Sequence, residues 1–296
     1  LDNDVGAAAD VIREDALDVL IYPELGMNRH TLKLAALRLA PVQCVAWGHP
    51  VTTGLPSIDY FLSSEAMEPP DGQTHYTETL HPLPGLSLAL SPPPPCEAAL
   101  DRSHFGLPGD RVVCLVPQAL FKLLPQYDWI YAEIAARLPD VLLVFLANRA
   151  ANASRGVVQV FQNRLEAAFR ARGLDWREFV HLKDGLPHDA YRALNRCSDL
   201  FLDAPGWSGG RTTLEAVGEG LLPVTLPGAL MRQRHSAAIL RELGLVELIA
   251  ADAEDYVEKV VALGADAPRR QVLRGRLRSA LPNLYNEAVI PALEAF

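Results

Sequence analysis

The residues with the clearest chemical potential form a glycine-rich turn after a short apolar stretch, Leu200-Phe-Leu-Asp203. The two adjacent glycines of the turn have no side chains, so an anion can approach the backbone closely. The N–H groups and the dipole of a helix that begins there favour negative charge. A neighbouring arginine and two threonines add a cation and two hydroxyl donors. The pattern predicts a diphosphate-binding turn, formed by Gly209, Gly210, Arg211, Thr212 and Thr213.

The same turn has a second, purely local interpretation. Thr212-x-x-Glu215 has the pattern of a capping box, in which two side chains satisfy the first N–H groups of a helix without any ligand. Glu215 can alternatively accept hydrogen bonds from two ribose hydroxyls. Neither a GxGxxG nor a GxxxxGK[ST] pattern is present, and a glycine-rich turn is weak evidence by itself. The residues alone therefore leave both interpretations open.

Two further candidates follow predicted strands. Lys122 comes after the apolar stretch Arg111–Pro117 and can neutralise a departing phosphate, although most lysines are solvated surface charges. His49 lies in Trp47-Gly-His-Pro-Val-Thr-Thr-Gly54 and can hydrogen-bond a phosphate or an acceptor, although a histidine beside a proline is more often structural. Ligands of open α/β sheets bind at the carboxyl ends of the strands, so both residues are candidates for such an edge. No pair of cysteines or histidines has metal-ligand spacing.

The elements that must position these residues alternate between short apolar stretches and stretches of helical periodicity. This alternation predicts βαβ units and an α/β fold with two Rossmann-like, doubly wound parallel-sheet domains facing a cleft. A run of prolines after Ser91 cannot continue a helix or a central strand and indicates a linker. The predicted organisation is a partial N-terminal domain over 1–90, a proline-rich linker over 91–105 and a C-terminal domain with terminal helices over 106–296. Strands are predicted at 17–22, 42–47, 58–63, 78–83, 111–117, 141–146, 179–182, 199–203, 222–226 and 248–250.

Composition excludes several classes of protein. Lys and Arg total 27 against 36 Asp and Glu, a net charge of −9, which disfavours nonspecific nucleic-acid binding. The four cysteines, Cys96 among them, lie far apart, unlike a disulfide scaffold. Without a long apolar run or a secretory leader, the sequence predicts a cytoplasmic protein without a membrane segment. Because the chain opens on Leu1 in a helical pattern, we expect a truncated N-terminal domain.

Several segments, in their order along the chain, resemble the catalytic region of the bacterial SPINDLY-type O-linked N-acetylglucosamine transferases. They are also similar to the adhesin N-glucosyltransferases of the same glycosyltransferase family. Each segment alone is weak evidence, but nine in the same order are specific. The matching segments begin with Leu37-Arg-Leu-Ala-Pro-Val-Gln43, Gly48–Gly54, Ile58-Asp-Tyr60, His75-Tyr-Thr-Glu78 and Pro117–Lys122, and continue with Asp199–Asp203, Gly209–Glu215, Val224–Gly228 and Arg232-Gln-Arg234 with Leu243-Gly-Leu245.

This resemblance implies a GT-B fold and an inverting transfer of GlcNAc or another hexose, without metal or other cofactor. The implied donor is UDP-GlcNAc or UDP-glucose, and the implied acceptor is a protein Ser, Thr or Asn side chain. The resemblance also implies tetratricopeptide repeats upstream in the complete protein. Lys122 matches the phosphate-contacting lysine of the family, Thr212 and Thr213 its phosphate-binding threonines, and Glu215 its ribose-binding carboxylate. The implied donor-binding residues are Gln118, Leu186, His188, Gly209, Gly210, Arg211, Thr212, Thr213 and Glu215, with Lys122 and His49 as the catalytic candidates.

The chain also departs from the family pattern. Arg211 stands where Asn or Thr is common, and Glu219 stands where a small residue is usual. We also expect the strands that precede Val5 in the family to be missing. Arg211 and the expected loss of these strands favour an alternative function, a degenerate module that binds a nucleotide sugar or a protein without turnover. A third candidate is another GT-B enzyme, such as a UDP-sugar epimerase or a small-molecule glycosyltransferase. The Gly48–Gly54 segment disfavours this candidate, because it resembles the O-linked N-acetylglucosamine transferase family.

Overall fold

A computed structural model describes residues 4–94, 99–147 and 155–296 of the chain. Part of the predicted linker, residues 95–98 with Cys96, lies outside the described residues. The chain divides into two compact units. The first unit comprises Leu1–Ala89, Ala229–Arg232 and Asn286–Phe296, and the second comprises Leu90–Gly228 and Gln233–Tyr285. Residues 229–232 and 286–296 thus belong to the first unit, whereas the sequence pattern assigned them to the second domain.

The described residues form nine strands and ten α-helices, and the strands agree closely with the alternation in the sequence. The strands are β1 (Val19–Tyr22), β2 (Val42–Ala46), β3 (Tyr60–Ser64), β4 (Thr79–Leu83), β5 (Val112–Val116), β6 (Val141–Leu146), β7 (Val180–Lys183), β8 (Leu200–Leu202) and β9 (Leu222–Val224). The helices are α1 (Val5–Glu14), α2 (Arg29–Ala35), α3 (Asp128–Arg137), α4 (Arg155–Arg170), α5 (His188–Cys197), α6 (Arg211–Gly218), α7 (His235–Glu242), α8 (Ala253–Ala265), α9 (Ala267–Ala280) and α10 (Val289–Ala295).

The first unit contains a parallel sheet with the strand order β1-β2-β3-β4. One face of this sheet carries Cys44, Leu62 and Leu83, which are buried, and α10 packs against them through Val289 and Ala292. The ring of Phe296, just after α10, lies 5.0 Å from that of Tyr60 in an edge-to-face arrangement. These apolar contacts are the reason that the last helix belongs with the first sheet.

The second unit contains a parallel sheet with the strand order β7-β6-β5-β8-β9. Its central strand β5 is apolar along its whole length, and Val113 to Val116 are fully buried. A continuous apolar run suits a parallel strand that is covered on both faces, so the α/β prediction is confirmed. The predicted strand at 248–250 is reduced to one bridge between Thr225 and Ile249, because Val246–Leu248 forms a 3-10 helix instead.

The strand order of the second sheet creates a switch point beside β5. From β5 the chain runs outward through β6 to β7, and then returns to the other side of β5 to form β8 and β9. The connections that leave β5 and β8 therefore diverge at their carboxyl ends. In open α/β sheets this divergence opens a crevice where ligands bind. The segments after β5 and β8 are those that carry Lys122 and the glycine-rich turn.

Candidate functional site

The glycine-rich turn after β8 is anchored by a buried carboxylate. Asp203 is 1% exposed and accepts hydrogen bonds from Ser208 Oγ at 2.6 Å, from the Gly209 N–H at 2.8 Å and from Thr225 Oγ1 at 2.7 Å. Burial raises the pKa of Asp203, while the three hydrogen bonds oppose that rise. Asp203 therefore ties the start of the turn to its end. This role of Asp203 was not predicted from the sequence. The available signal was the position of an acidic residue directly after a strand.

Close packing explains why position 209 is a glycine. A Cβ atom built on Gly209 would lie 2.4 Å from Thr212 Oγ1 and 2.9 Å from Gln118 Nε2. Gln118, which is 5% exposed and follows β5, donates a hydrogen bond from Nε2 to Thr212 Oγ1 at 3.2 Å. The segment after β5 and the start of α6 thus meet at Gly209, where only a residue without a side chain fits.

The start of α6 contradicts the capping-box interpretation. The N-cap residue is Gly210, and no side chain caps the helix, which begins at Arg211. Thr212 lies inside the first turn, so its hydroxyl cannot act as the N-cap acceptor of a capping box. Glu215 is engaged elsewhere as well. The first N–H groups of α6 consequently face no capping side chain, and the helix dipole favours an anion at this end.

Lys122 brings a positive charge to the same region. It ends the 3-10 helix Leu120–Lys122 after β5, and its Nζ lies 4.9 Å from the ring centroid of Trp207 in the glycine-rich turn. Burial lowers the pKa of Lys122. In the part of the chain that the structure describes, no carboxylate pairs with this ammonium group. The charge is therefore available to an anionic ligand.

Thr213 connects the turn to α7 through buried hydrogen bonds. Its side chain is fully buried, and its Oγ1 lies 2.7 Å from Ser236 Oγ on α7. The Ser236 hydroxyl also donates to the Gly209 carbonyl at 3.2 Å, and the Ser236 N–H donates to Ser208 Oγ at 2.9 Å. The Thr213 hydroxyl is thus engaged within the turn, and its contact with a phosphate stays a prediction.

Glu215 has two partners on its Oε1 atom. Arg211 Nε lies 2.8 Å from it and His188 Nε2 lies 3.1 Å from it. In the structure the Arg211 guanidinium pairs with the carboxylate one turn along the helix, and its contact with a diphosphate stays a prediction. His188, at the start of α5, is brought beside Glu215, and Leu186 just before it packs against the core of the second unit.

The departure at position 219 has a structural explanation. The Glu219 side chain is 7% exposed and forms ion pairs with Arg192 and Arg196 of α5, the latter at 2.9 Å. These pairs fasten the end of α6 to α5. They hold the helix that begins at His188 beside the helix that carries Glu215.

His49 lies in the first unit, on a loop held by another carboxylate. Glu78 is 3% exposed and accepts hydrogen bonds from Thr52 Oγ1 at 2.7 Å and from the Thr53 N–H at 2.7 Å, and the Thr53 hydroxyl also donates to it. Although burial would raise the pKa of Glu78, these hydrogen bonds hold it below its usual value. The half-buried His49 ring lies against Gly26, where a Cβ would come within 2.6 Å of His49 Cδ2. The sequence predicted the loop as a candidate site, but the role of Glu78 in holding it was not predicted.

The described residues contain neither a metal-binding cluster nor a membrane-spanning helix. Over residues 4–94, 99–147 and 155–296, no group of three or more His, Cys, Asp and Glu side chains is arranged to hold a metal ion. Within the same described residues, no helix combines the length and the apolar character needed to cross a membrane.

The fold and the switch point define a parallel α/β protein with a glycine-rich turn that leads into an uncapped helix. The profile of glycosyl transferase family 41 matches residues 2–86 and 95–286, and the chain belongs to that family. Among curated relatives, it is 29% identical over 278 residues to a probable UDP-N-acetylglucosamine–peptide N-acetylglucosaminyltransferase SPINDLY of Oryza sativa subsp. japonica. It is 26% identical over 285 residues to a probable enzyme of the same description, SEC, of Arabidopsis thaliana.

These relatives are much longer than the chain. The matches cover 92% and 93% of the chain but only 29% and 28% of the two relatives. Among solved structures, the chain is similar to a mutant O-GlcNAc transferase of Thermobaculum terrenum, with a TM-score of 0.80 and 28% identity over 97% of this chain and 52% of that one. A glycosyltransferase of Rickettsia africae, at 11% identity and a TM-score of 0.60, shares the fold. The fold is of GT-B type, with one parallel sheet in each unit.

Proposed function

We propose that this protein transfers GlcNAc or another hexose from a UDP-sugar to a Ser, Thr or Asn side chain of a protein acceptor. The reaction inverts the anomeric carbon and needs no metal ion or other cofactor. The observation that carries the proposal is the convergence of an uncapped helix start, a glycine-rich turn and the ammonium of Lys122, which pairs with no carboxylate in the described residues, at the switch point of the second sheet. The relatives of the chain include probable enzymes named for transfer of N-acetylglucosamine from UDP to peptides.

The diphosphate of the donor would bind at the start of α6. The N–H groups of its first turn, the side chains of Thr212 and Gln118, and Lys122 supply hydrogen-bond donors and positive charge. When the acceptor atom attacks the anomeric carbon, the bond from that carbon to the phosphate oxygen breaks and its electron pair leaves with UDP. Fixed donors that face the developing charge lower the barrier because they need no reorganisation. Lys122 and the helix dipole thereby do the work that a metal ion does in other transferases.

The nucleoside would bind along α5 and α6. The carboxylate of Glu215 accepts the ribose hydroxyls, and Leu186 and His188 lie beside the uracil ring. Among the described residues, no donor forms a hydrogen bond with the Oε2 atom of Glu215, whereas Oε1 is shared by Arg211 and His188. A ribose can therefore bind one oxygen directly and compete for the other. On the acceptor side, His49 remains the candidate contact in the first unit, and we assign no catalytic base.

A second candidate function is nucleotide-sugar binding without turnover. The observation that favours it is the ion pair between Arg211 and Glu215, because it engages the carboxylate that the proposed ribose site needs.

Calorimetric titration of the 296-residue chain with UDP, UDP-GlcNAc and UDP-glucose tests the site. We expect saturable UDP binding, weakened about tenfold or more in Lys122→Ala and in Glu215→Ala, since a hydrogen bond to a charged group contributes about 1.5–3 kcal/mol. Lys259→Ala is the matched control, because Lys259 pairs with Asp255 on α8, and its affinity should equal that of the wild type. If the folded protein binds no UDP, both candidate functions are wrong. Binding of UDP-sugar without UDP release in the presence of cell lysate would favour the second.

A further inference from the structure

The Lys122 side chain is half-buried, and lysines that lose contact with water usually pair with a carboxylate. The Lys122 ammonium instead lies over the face of Trp207, 4.9 Å from the ring centroid. At this distance the negative face of an indole attracts a cation. We propose that Trp207 is a positioning residue, which holds the Lys122 ammonium at the proposed diphosphate site without neutralising it. This inference rests on the proposed function.

The position of the indole is fixed from both sides along the chain. Before it, Gly206 has a φ of +95°, and a Cβ there would lie 2.3 Å from Leu124 Cδ1, so only glycine fits at this point. After it, the Ser208 hydroxyl is bonded to the buried Asp203 at 2.6 Å. The backbone N–H of Trp207 donates a hydrogen bond to the Ala204 carbonyl at 3.2 Å. The backbone that carries the ring is therefore held by close packing and hydrogen bonds, whereas the lysine side chain is long and has four rotatable bonds.

An aromatic face suits this task better than a carboxylate. A carboxylate partner would compete with the phosphate for the ammonium and would cancel its charge. The indole face attracts the cation through the ring quadrupole and leaves the net charge of the site positive. It also excludes water from one side of the ammonium, which strengthens its interaction with a phosphate. Burial lowers the pKa of Lys122 in agreement with this placement.

A double-mutant cycle with UDP and uridine as ligands separates positioning from simple structural support. We expect Trp207→Leu to weaken UDP binding about tenfold and to leave uridine binding unchanged, because uridine lacks the phosphates that Lys122 would contact. In the Lys122→Ala background, Trp207→Leu should change UDP affinity by less than about twofold, since the two residues act as one unit. Trp207→Phe, which keeps an aromatic face, should restore most of the UDP affinity.

The chain offers a matched control beside β7, an edge strand of the same sheet. Trp176 precedes β7 and forms a similar pair with Arg177, whose guanidinium carbon lies 5.2 Å from the ring centroid. Trp176→Leu should leave UDP affinity unchanged. If Trp207→Leu fails to fold, Trp207→Met makes the same comparison with a flexible apolar side chain.

The outcomes distinguish this inference from the function on which it rests. Equal weakening of UDP and uridine by Trp207→Leu, or an undiminished effect in the Lys122→Ala background, overturns the positioning role and leaves the proposed function intact. If the folded wild-type chain binds no UDP, the proposed function falls and this inference falls with it.

Discussion

The side-chain amide of Gln118 donates a hydrogen bond to Thr212 Oγ1 across 3.2 Å, although the two residues belong to distant parts of the sequence. Gln118 follows β5, and Thr212 lies in the first turn of α6. The bond exists because β8, which leads into α6, lies directly beside β5 in the sheet. It joins the two segments that carry Lys122 and the glycine-rich turn into one site.

The carboxylate of Asp203 should be a main determinant of stability in the second unit. In Asp203→Asn, one acceptor oxygen is replaced by an NH₂ group that faces hydroxyl and N–H donors. We expect the free energy of unfolding to fall by about 3 kcal/mol, as for other buried polar networks that lose a partner. Urea denaturation followed by circular dichroism measures this change. The exposed Asp110→Asn is the control, and equal stability of the two variants would contradict the role of Asp203.

The buried imidazole of His235 should make stability depend on pH. Burial lowers the pKa of His235 from 6.5 to about 4. Between these values the unfolded chain binds more protons than the folded one, so stability is full above pH 6.5 and falls as the pH is lowered. From pH 7 to pH 5 the loss should be about 2 kcal/mol. The difference in urea midpoint between the two pH values measures it.

His235→Asn removes the titrating group and should therefore remove most of that pH-dependent loss, whatever its effect at pH 7. His104→Asn, at an exposed histidine, should retain the full loss. A wild-type protein whose stability does not change between pH 7 and pH 5 would contradict the lowered pKa of His235 in the folded state.

The carboxylate of Glu78 should order the loop that carries His49. In Glu78→Gln, one of the carboxylate oxygens that accept from Thr52 and Thr53 is replaced by a donor. We expect faster amide hydrogen exchange over residues 51–54, because local opening loses the bonds that oppose it. Mass spectrometry of exchange in peptides that cover the loop measures the effect. Glu65→Gln, at an exposed position in the same unit, should leave exchange of the loop unchanged, and no difference between the variants would refute the prediction.

The ion pair between Arg211 and Glu215 should limit the availability of the carboxylate only slightly. The Arg211 side chain is 82% exposed, and exposed pairs of this spacing on a helix contribute about 0.3–0.5 kcal/mol. Arg211→Ala should therefore raise the affinity for uridine by about twofold. Calorimetry with uridine and with UDP measures this. A tenfold fall in UDP affinity would show instead that Arg211 contacts the phosphates when a ligand is bound.

The amino-acid sequence by itself determined the elements and their class. Strands that are buried on both faces must be apolar along their length, so β5 and β6 are visible as continuous apolar runs, and the alternation with helices predicts parallel sheets. The glycine-rich turn and Lys122 could be located because each follows such a run. These features depend on residues that are neighbours in the chain.

The tertiary structure decided everything that depends on contacts between distant residues. Local spacing suggested a capping box at Thr212, but α6 begins at Arg211 and Thr212 is engaged by Gln118. The C-terminal helix α10 belongs to the first unit because its apolar face packs on β-strands more than 200 residues away in sequence. Asp203 and Trp207 gain their roles from hydrogen bonds and ring contacts that the order of strands creates. Sequence periodicity reports which faces are buried, but which elements cover them is settled by packing in three dimensions.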